Sequence, residues 1–147
     1  DLVSIDAEKF ETSYMQLKKS DSQDLNKWLE MSVLYSAPFM QEYPYESMLE
    51  SERDRLSSFQ KDVALTIARI YAEQGDHSNS LNYYEQALGF DCYDEDIYYE
   101  AIEMLLDAGA PAKAQLIADK MKLHLEEDLG VPCSDQLQSI FDYYYNK

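Results

Sequence analysis

Carboxylates dominate the chemistry this chain could do: 29 Asp and Glu stand against 12 Lys and Arg, two His and two Cys. Such groups act as an acid–base pair only where their environments differ, and as a cation site only where their spacing fits one. The densest run, Asp91 to Glu100, lacks the sixth-position Gly and the alternating ligands of a calcium loop. His77 starts a helix and His124 lies in an acidic one, neither with a nucleophile or metal partner at a diagnostic spacing. Cys92 and Cys133 stand in no metal or redox spacing and read as two unpaired thiols. No Gly-rich loop is present to cradle a phosphate. The residues therefore give no catalytic set, no metal site and no cofactor site, and the expectation is a protein that is not an enzyme.

Charge narrows the partners. The formal charge is −17, and no basic cluster is longer than Lys18-Lys19. Phosphate contacts need clustered Lys and Arg, so this segment by itself is not expected to bind DNA or an anionic membrane. No stretch approaches the roughly 18 apolar residues of a membrane span, and no signal peptide opens the chain. The first residue is Asp1 rather than Met, which reads as a piece of something longer. The expected location is the cytoplasm.

The elements that must position these residues are helices. Apolar residues make up 46% of 147, enough for a core in one domain spanning 1–147, and four Gly with four Pro leave little punctuation. Asp6 caps a first helix whose apolar residues are Phe10, Tyr14, Met15 and Leu17. Asp21 opens a second, with Leu25, Trp28, Leu29, Val33 and Tyr35. Pro38 and Pro44 mark a loop. A long helix runs from about Glu46 to Gln74 on Leu49, Leu56, Phe59, Val63, Ile67, Ile70 and Tyr71. Gly75 ends it, and Ser78 starts the next, buried through Leu81, Tyr84, Ala87 and Leu88. Asp94 starts another, with Ile97, Tyr98, Ala101, Met104 and Leu105. Gly109 ends that one and Pro111 opens its successor, with Ala114, Ile117, Ala118, Met121 and Leu125 inward. Leu129 to Pro132 is a stop, and Ser134 caps a last helix on Leu137, Ile140, Phe141 and Tyr144. The fold class is all-α, about seven helices and no strand.

Gly75 and Gly109 are 34 positions apart, as are Ser80 and Ala114, Ala68 and Ile102, Tyr71 and Leu105, Ala87 and Met121. Thirty-four residues is the length of one tetratricopeptide unit, a helix pair that stacks on the next. The turn needs positive φ, hence Gly, and a small residue lets the paired helices cross, hence Ser80 and Ala114. The architecture expected is a tetratricopeptide-like right-handed stack of antiparallel helix pairs. Helical repeats more often present surfaces than host reactions.

The order of landmarks resembles the bacterial transcriptional activator domain of the antibiotic-regulatory (SARP) type of regulator. The landmarks are Asp6 and Phe10; Leu34-Tyr35-Ser36 leading to Phe39-Met40; Tyr43; the acidic, Arg-containing stretch from Glu50 to Leu56; Asp91 to Asp96; and Leu129-Gly130-Val131-Pro132 before Ser134. The last element is the most specific. Here the usual Gly after Tyr35 is missing, Cys92 stands for the usual Pro, and Cys133 is inserted before Ser134. The resemblance covers about Asp6 to Tyr144. It implies a cytoplasmic bacterial transcription regulator with a winged-helix DNA-binding domain upstream, in some bacteria behind a receiver domain of a two-component system. This part would serve self-association, contact with the transcription machinery, or response to a signal. A free-standing repeat adaptor that holds a peptide is the alternative, and it leaves the Leu129 to Pro132 ending without explanation.

Stacked units of this kind build a concave groove from the first helix of each pair. That face carries Asp62, Leu65, Arg69 and Glu73, then Asp96, Tyr99, Glu103 and Asp107. It is mostly acidic, with Leu65 and Tyr99 as apolar contacts, and is expected to prefer a basic or amphipathic peptide such as a segment of its own DNA-binding domain. Tyr43, Tyr45 and Tyr93 fall in loops or turns and are interface candidates. The run Tyr143-Tyr144-Tyr145 cannot be buried on one face, so Tyr144 should pack while Tyr143 and Tyr145 stay exposed or form a homodimer contact.

Overall fold

Capping and periodicity divide the chain into helices joined by short turns. The computed structural model describes residues 12, 14–19, 24–34 and 50–146. Residues 14–19 are helical. Then come α1 (Leu25–Leu34), α2 (Glu50–Glu73), α3 (His77–Phe90), α4 (Glu95–Asp107), α5 (Pro111–Met121), a π-helical continuation of α5 (Lys122–Asp128) and α6 (Ser134–Tyr145). Every described element is helical. The sequence expectations at Asp6, Phe10, Asp21, Leu49, Pro38 and Pro44, Tyr35, Tyr43 and Tyr45 lie outside the described residues.

The repeat is visible as hydrogen-bond geometry. At the end of α2, Gly75 N–H donates to the Ala72 carbonyl and Asp76 N–H to the Tyr71 carbonyl. At the end of α4, Gly109 N–H donates to Leu106 and Ala110 N–H to Leu105, the same pairing 34 residues later. This is the Schellman closure, which places one residue at positive φ: +81° at Gly75 and +75° at Gly109. The crossing also follows the sequence. Ser80 and Ala114 are wholly buried, and the Ser80 hydroxyl donates to the Ala68 carbonyl of α2 at 2.7 Å.

Two apolar clusters share α2 as a wall. Val63, Ile67 and Ile70 face Tyr14, Trp28 and Met31. Ala64 and Ala68 face the larger cluster, which runs through Tyr84, Ala87, Ile97, Tyr98, Ala101, Ile102, Leu105 and Ala114 to Ile117, Met121, Leu125, Leu137 and Phe141. A helix apolar on two sides is buried between layers, as stacked pairs require.

Two local expectations are corrected, at the starts of α3 and α6, and two features are added. Met15 is exposed, and the inward neighbour in the 14–19 stretch is Tyr14. Helix α3 begins at His77 rather than Ser78, because the Asp76 side chain accepts from Asn79 N–H and is the cap. The α5 helix widens to π geometry at Lys122, so its last closure runs from Val131 N–H back to Leu125, one residue longer than in α2 and α4. Ser134 does not cap α6. Cys133 holds the cap position without a side-chain bond, and the capping oxygen comes from Glu126.

Candidate functional site

The first helices of the successive pairs are the 14–19 stretch, α2, α4 and α6, and polar side chains tie each to the next. The Tyr14 hydroxyl donates to Asp62 at 2.7 Å and accepts from Lys18 at 2.9 Å. Lys61 reaches from α2 to Asp94, the cap of α4, at 3.2 Å and to Asp91 at 3.5 Å. Arg69 holds Glu100 with two parallel bonds of 2.7 and 2.8 Å, the fork geometry that makes Arg–carboxylate pairs strong. Tyr99 of α4 donates to Gln136 of α6 at 2.6 Å. Each tie forms because helices stacked one pair apart present neighbouring faces.

Electrostatics follow the ties. Glu100 beside Arg69 holds the guanidinium pKa above its ordinary value, against the opposing effect of burial. At Lys61, burial pulls the pKa down, but Asp94 and Asp91 outweigh it and the net shift is upward. Burial, then the charge of Glu95, pushes the Tyr99 hydroxyl up to about 12. Burial, then Asp107 and Glu103, pushes Tyr144 up to about 12. These hydroxyls stay protonated and serve as hydrogen-bond donors, not as bases.

The residues named from sequence stand as follows. Asp62 is half-buried and bonded to Tyr14. Leu65 and Tyr99 are half-buried and packed against the larger cluster, so each offers an edge rather than a whole side chain. Arg69 is exposed, yet its fork is occupied by Glu100. Glu73, Asp96, Glu103 and Asp107 are exposed. Tyr143 and Tyr145 are exposed at 62% and 64% on α6; Tyr143 meets Tyr144 edge-on and Tyr145 stacks on Phe141. Tyr93, in the α3–α4 turn, is also exposed and meets His124 edge-on.

The contributors missed from sequence include Lys18, Lys61, Glu100, Gln136 and Glu126. Glu100 and Gln136 complete ties between helix pairs, and only the three-dimensional stacking brings them to Arg69 and Tyr99. One oxygen of Glu126 accepts from Cys133 N–H at 2.9 Å, Ser134 N–H at 2.6 Å and the Ser134 hydroxyl at 2.5 Å. Those donors, the Ser134 hydroxyl first, lower its pKa to about 2. Glu126 thus locks the Leu129 to Pro132 turn onto α6. An acid eight residues before a serine carries no sequence signal of that role.

Chemically, the face offers carboxylates, phenols and one forked Arg. Among the described residues no group of three His, Cys, Asp or Glu could hold a metal ion, and no helix is long and apolar enough to cross a membrane. Both cysteines are free thiols, Cys133 buried.

The fold and face define an all-helical repeat module of the tetratricopeptide-like kind. Residues 5–142 match the family model described as the bacterial transcriptional activator domain, and the chain belongs to that family. It is a family of transcription-activator domains, not of enzymes. No curated protein and no solved structure matches the chain.

Proposed function

We propose that this chain is the regulatory and protein-interaction module of a DNA-binding transcription regulator, acting in the cytoplasm as one helical-repeat domain. It does not contact DNA itself; DNA is reached through a separate DNA-binding domain of the same regulator. Its first-helix face receives a basic or amphipathic segment, with that DNA-binding domain as the first candidate and the transcription machinery as the second. Self-association is part of the same role.

The observation that carries the reading is the sign of charge on the face. Glu73, Asp96, Glu103 and Asp107 are exposed on α2 and α4, while the nearest cation, Arg69, is already neutralised by Glu100. Complementary charge steers a basic partner and sets its register, and the edges of Leu65 and Tyr99 supply apolar contact.

The test is fluorescence anisotropy with a labelled basic amphipathic peptide. The expected result is binding that weakens with salt and that the combined change Glu73→Gln, Asp96→Asn, Glu103→Gln, Asp107→Asn removes. Unchanged affinity in that variant, and in Tyr99→Ala with Arg69→Ala, would sink the reading.

A further inference from the structure

A second surface lies between the second helices of adjacent pairs, away from these ties. Helices α3 and α5 leave an open groove of about 530 Å³ between them, with a largely apolar wall. Leu81, Leu116, Ile117 and Leu123 form its floor and edges. Leu116 and Leu123 are 63% and 50% exposed, large for aliphatic side chains that line one groove. Glu85, Asp119, Lys113 and Lys120 stand around it, with Glu85 and Lys120 paired at 3.7 Å. Two acids and two bases balance there. Elsewhere balance is rare: between residues 70 and 146, 16 acids face three bases, Lys113, Lys120 and Lys122, all on α5 and its continuation.

We infer that this groove is the contact between two copies of the chain, α5 against α5 in antiparallel orientation about a two-fold axis. A two-fold contact requires a surface complementary to itself, and the order of residues along α5 supplies that. With the axis between Asp119 and Lys120, Asp119 meets Lys120 of the second copy and Leu116 meets its Leu123. Lys113 then comes opposite Glu126, whose carboxylate is held at the start of α6, with the exposed Glu127 beside it. Asp119 and Lys120 each find their opposite, and the two exposed leucines cover each other. Two copies at −17 each repel over most of their surfaces, so the charge-balanced face is where they can approach. The π-helical continuation contributes by placing Leu123 on the groove beside Leu116 and Ile117, and such widened turns recur at functional positions. The α5 ridge alone is smaller than the roughly 800 Å² per partner of a standard interface, so Leu81 and Glu85 of α3 are covered with it.

This assignment deepens the self-association part of the proposed function. It does not involve the first-helix face, so the two can fail separately. The experiment is sedimentation velocity of the chain over a wide concentration range, with circular dichroism on each variant. The expected result is a monomer–dimer equilibrium. Asp119→Lys and Lys120→Asp alone should each weaken it roughly tenfold or more, since each sets like charges against each other twice. The double exchange, Asp119→Lys with Lys120→Asp, should restore it, and Leu116→Glu should abolish it. A chain that stays monomeric at every concentration overturns the inference and leaves the groove to another protein's helix. So does a dimer that the double exchange fails to restore. A dimer lost only with Tyr143→Ser and Tyr145→Ser overturns it too, and moves the contact to α6.

Discussion

Glu126 shows how much one carboxylate can organise. The first backbone N–H groups of a helix lack partners within it, and their aligned dipoles favour a negative charge. Ser134 sits one position too late to cap α6, and Cys133 makes no capping bond with its side chain. Glu126 reaches over the intervening turn and satisfies two backbone donors and one hydroxyl at once. Its pKa falls from 4.5 to about 2 because these donors favour the charged form. The folded-state pKa is depressed, so the stabilisation is complete above the unfolded value near 4.5 and is lost as pH falls toward about 2. Glu126→Gln is expected to lower Tm at neutral pH. The gap between it and the native chain should narrow progressively as pH falls from 4.5 toward 2. Thermal melts by circular dichroism across that range check this; a gap that is constant with pH would mean that shape rather than charge sets the cap.

At the scale of elements, the same turn is built twice, and its cost can be compared at two places. Gly75 and Gly109 adopt φ of +81° and +75°, and a Cβ at either would meet nothing within 4 Å. Substitution by Ala therefore meets no clash, only the strain of a left-handed backbone, about 1–2 kcal/mol. Gly75→Ala and Gly109→Ala should each destabilise by that amount in urea unfolding, and the double variant by the sum. A loss far larger at one site would show that the two turns are not equivalent. These turns were legible in sequence because only Gly takes that conformation cheaply and because the 34-residue spacing repeats it. The inward residues from Leu56 to Phe141 were legible for a related reason, since a 3.6-residue period leaves a mark that no tertiary contact has to reveal. The start of α3 was displaced because Asp76 and Ser78 are both good capping types, and only geometry decides between them. The π turn left no mark, since Lys122 to Asp128 is an ordinary amphipathic sequence. The exposure of Glu73, Asp96, Glu103 and Asp107 could be read from their charge, whereas the occupant of the Arg69 fork could not: Glu100 lies on another helix, and its approach depends on how the pairs stack.

For the molecule as a whole, the excess of negative charge sets two responses to salt, of opposite sign. Seventeen uncompensated negative charges in 147 residues repel one another most when the chain is compact. The ion pairs that oppose this, such as Lys120 with Glu85 and Lys18 with Asp62, are mostly exposed. Pairs of that kind contribute roughly 0–1 kcal/mol each. Even Arg69 with Glu100, better in geometry, has its guanidinium about half in water. Screening therefore removes more repulsion than attraction, and Tm should rise as NaCl is increased from low ionic strength toward physiological. Binding of a basic segment to the first-helix face should respond the other way, because that attraction is screened by the same ions. Measured on one preparation, calorimetric Tm and peptide affinity are expected to move in opposite directions over the same salt range. If Tm instead fell with salt, the inter-helix ties would outweigh the net charge, and the stack would be held together chiefly by Lys61, Arg69 and their partners.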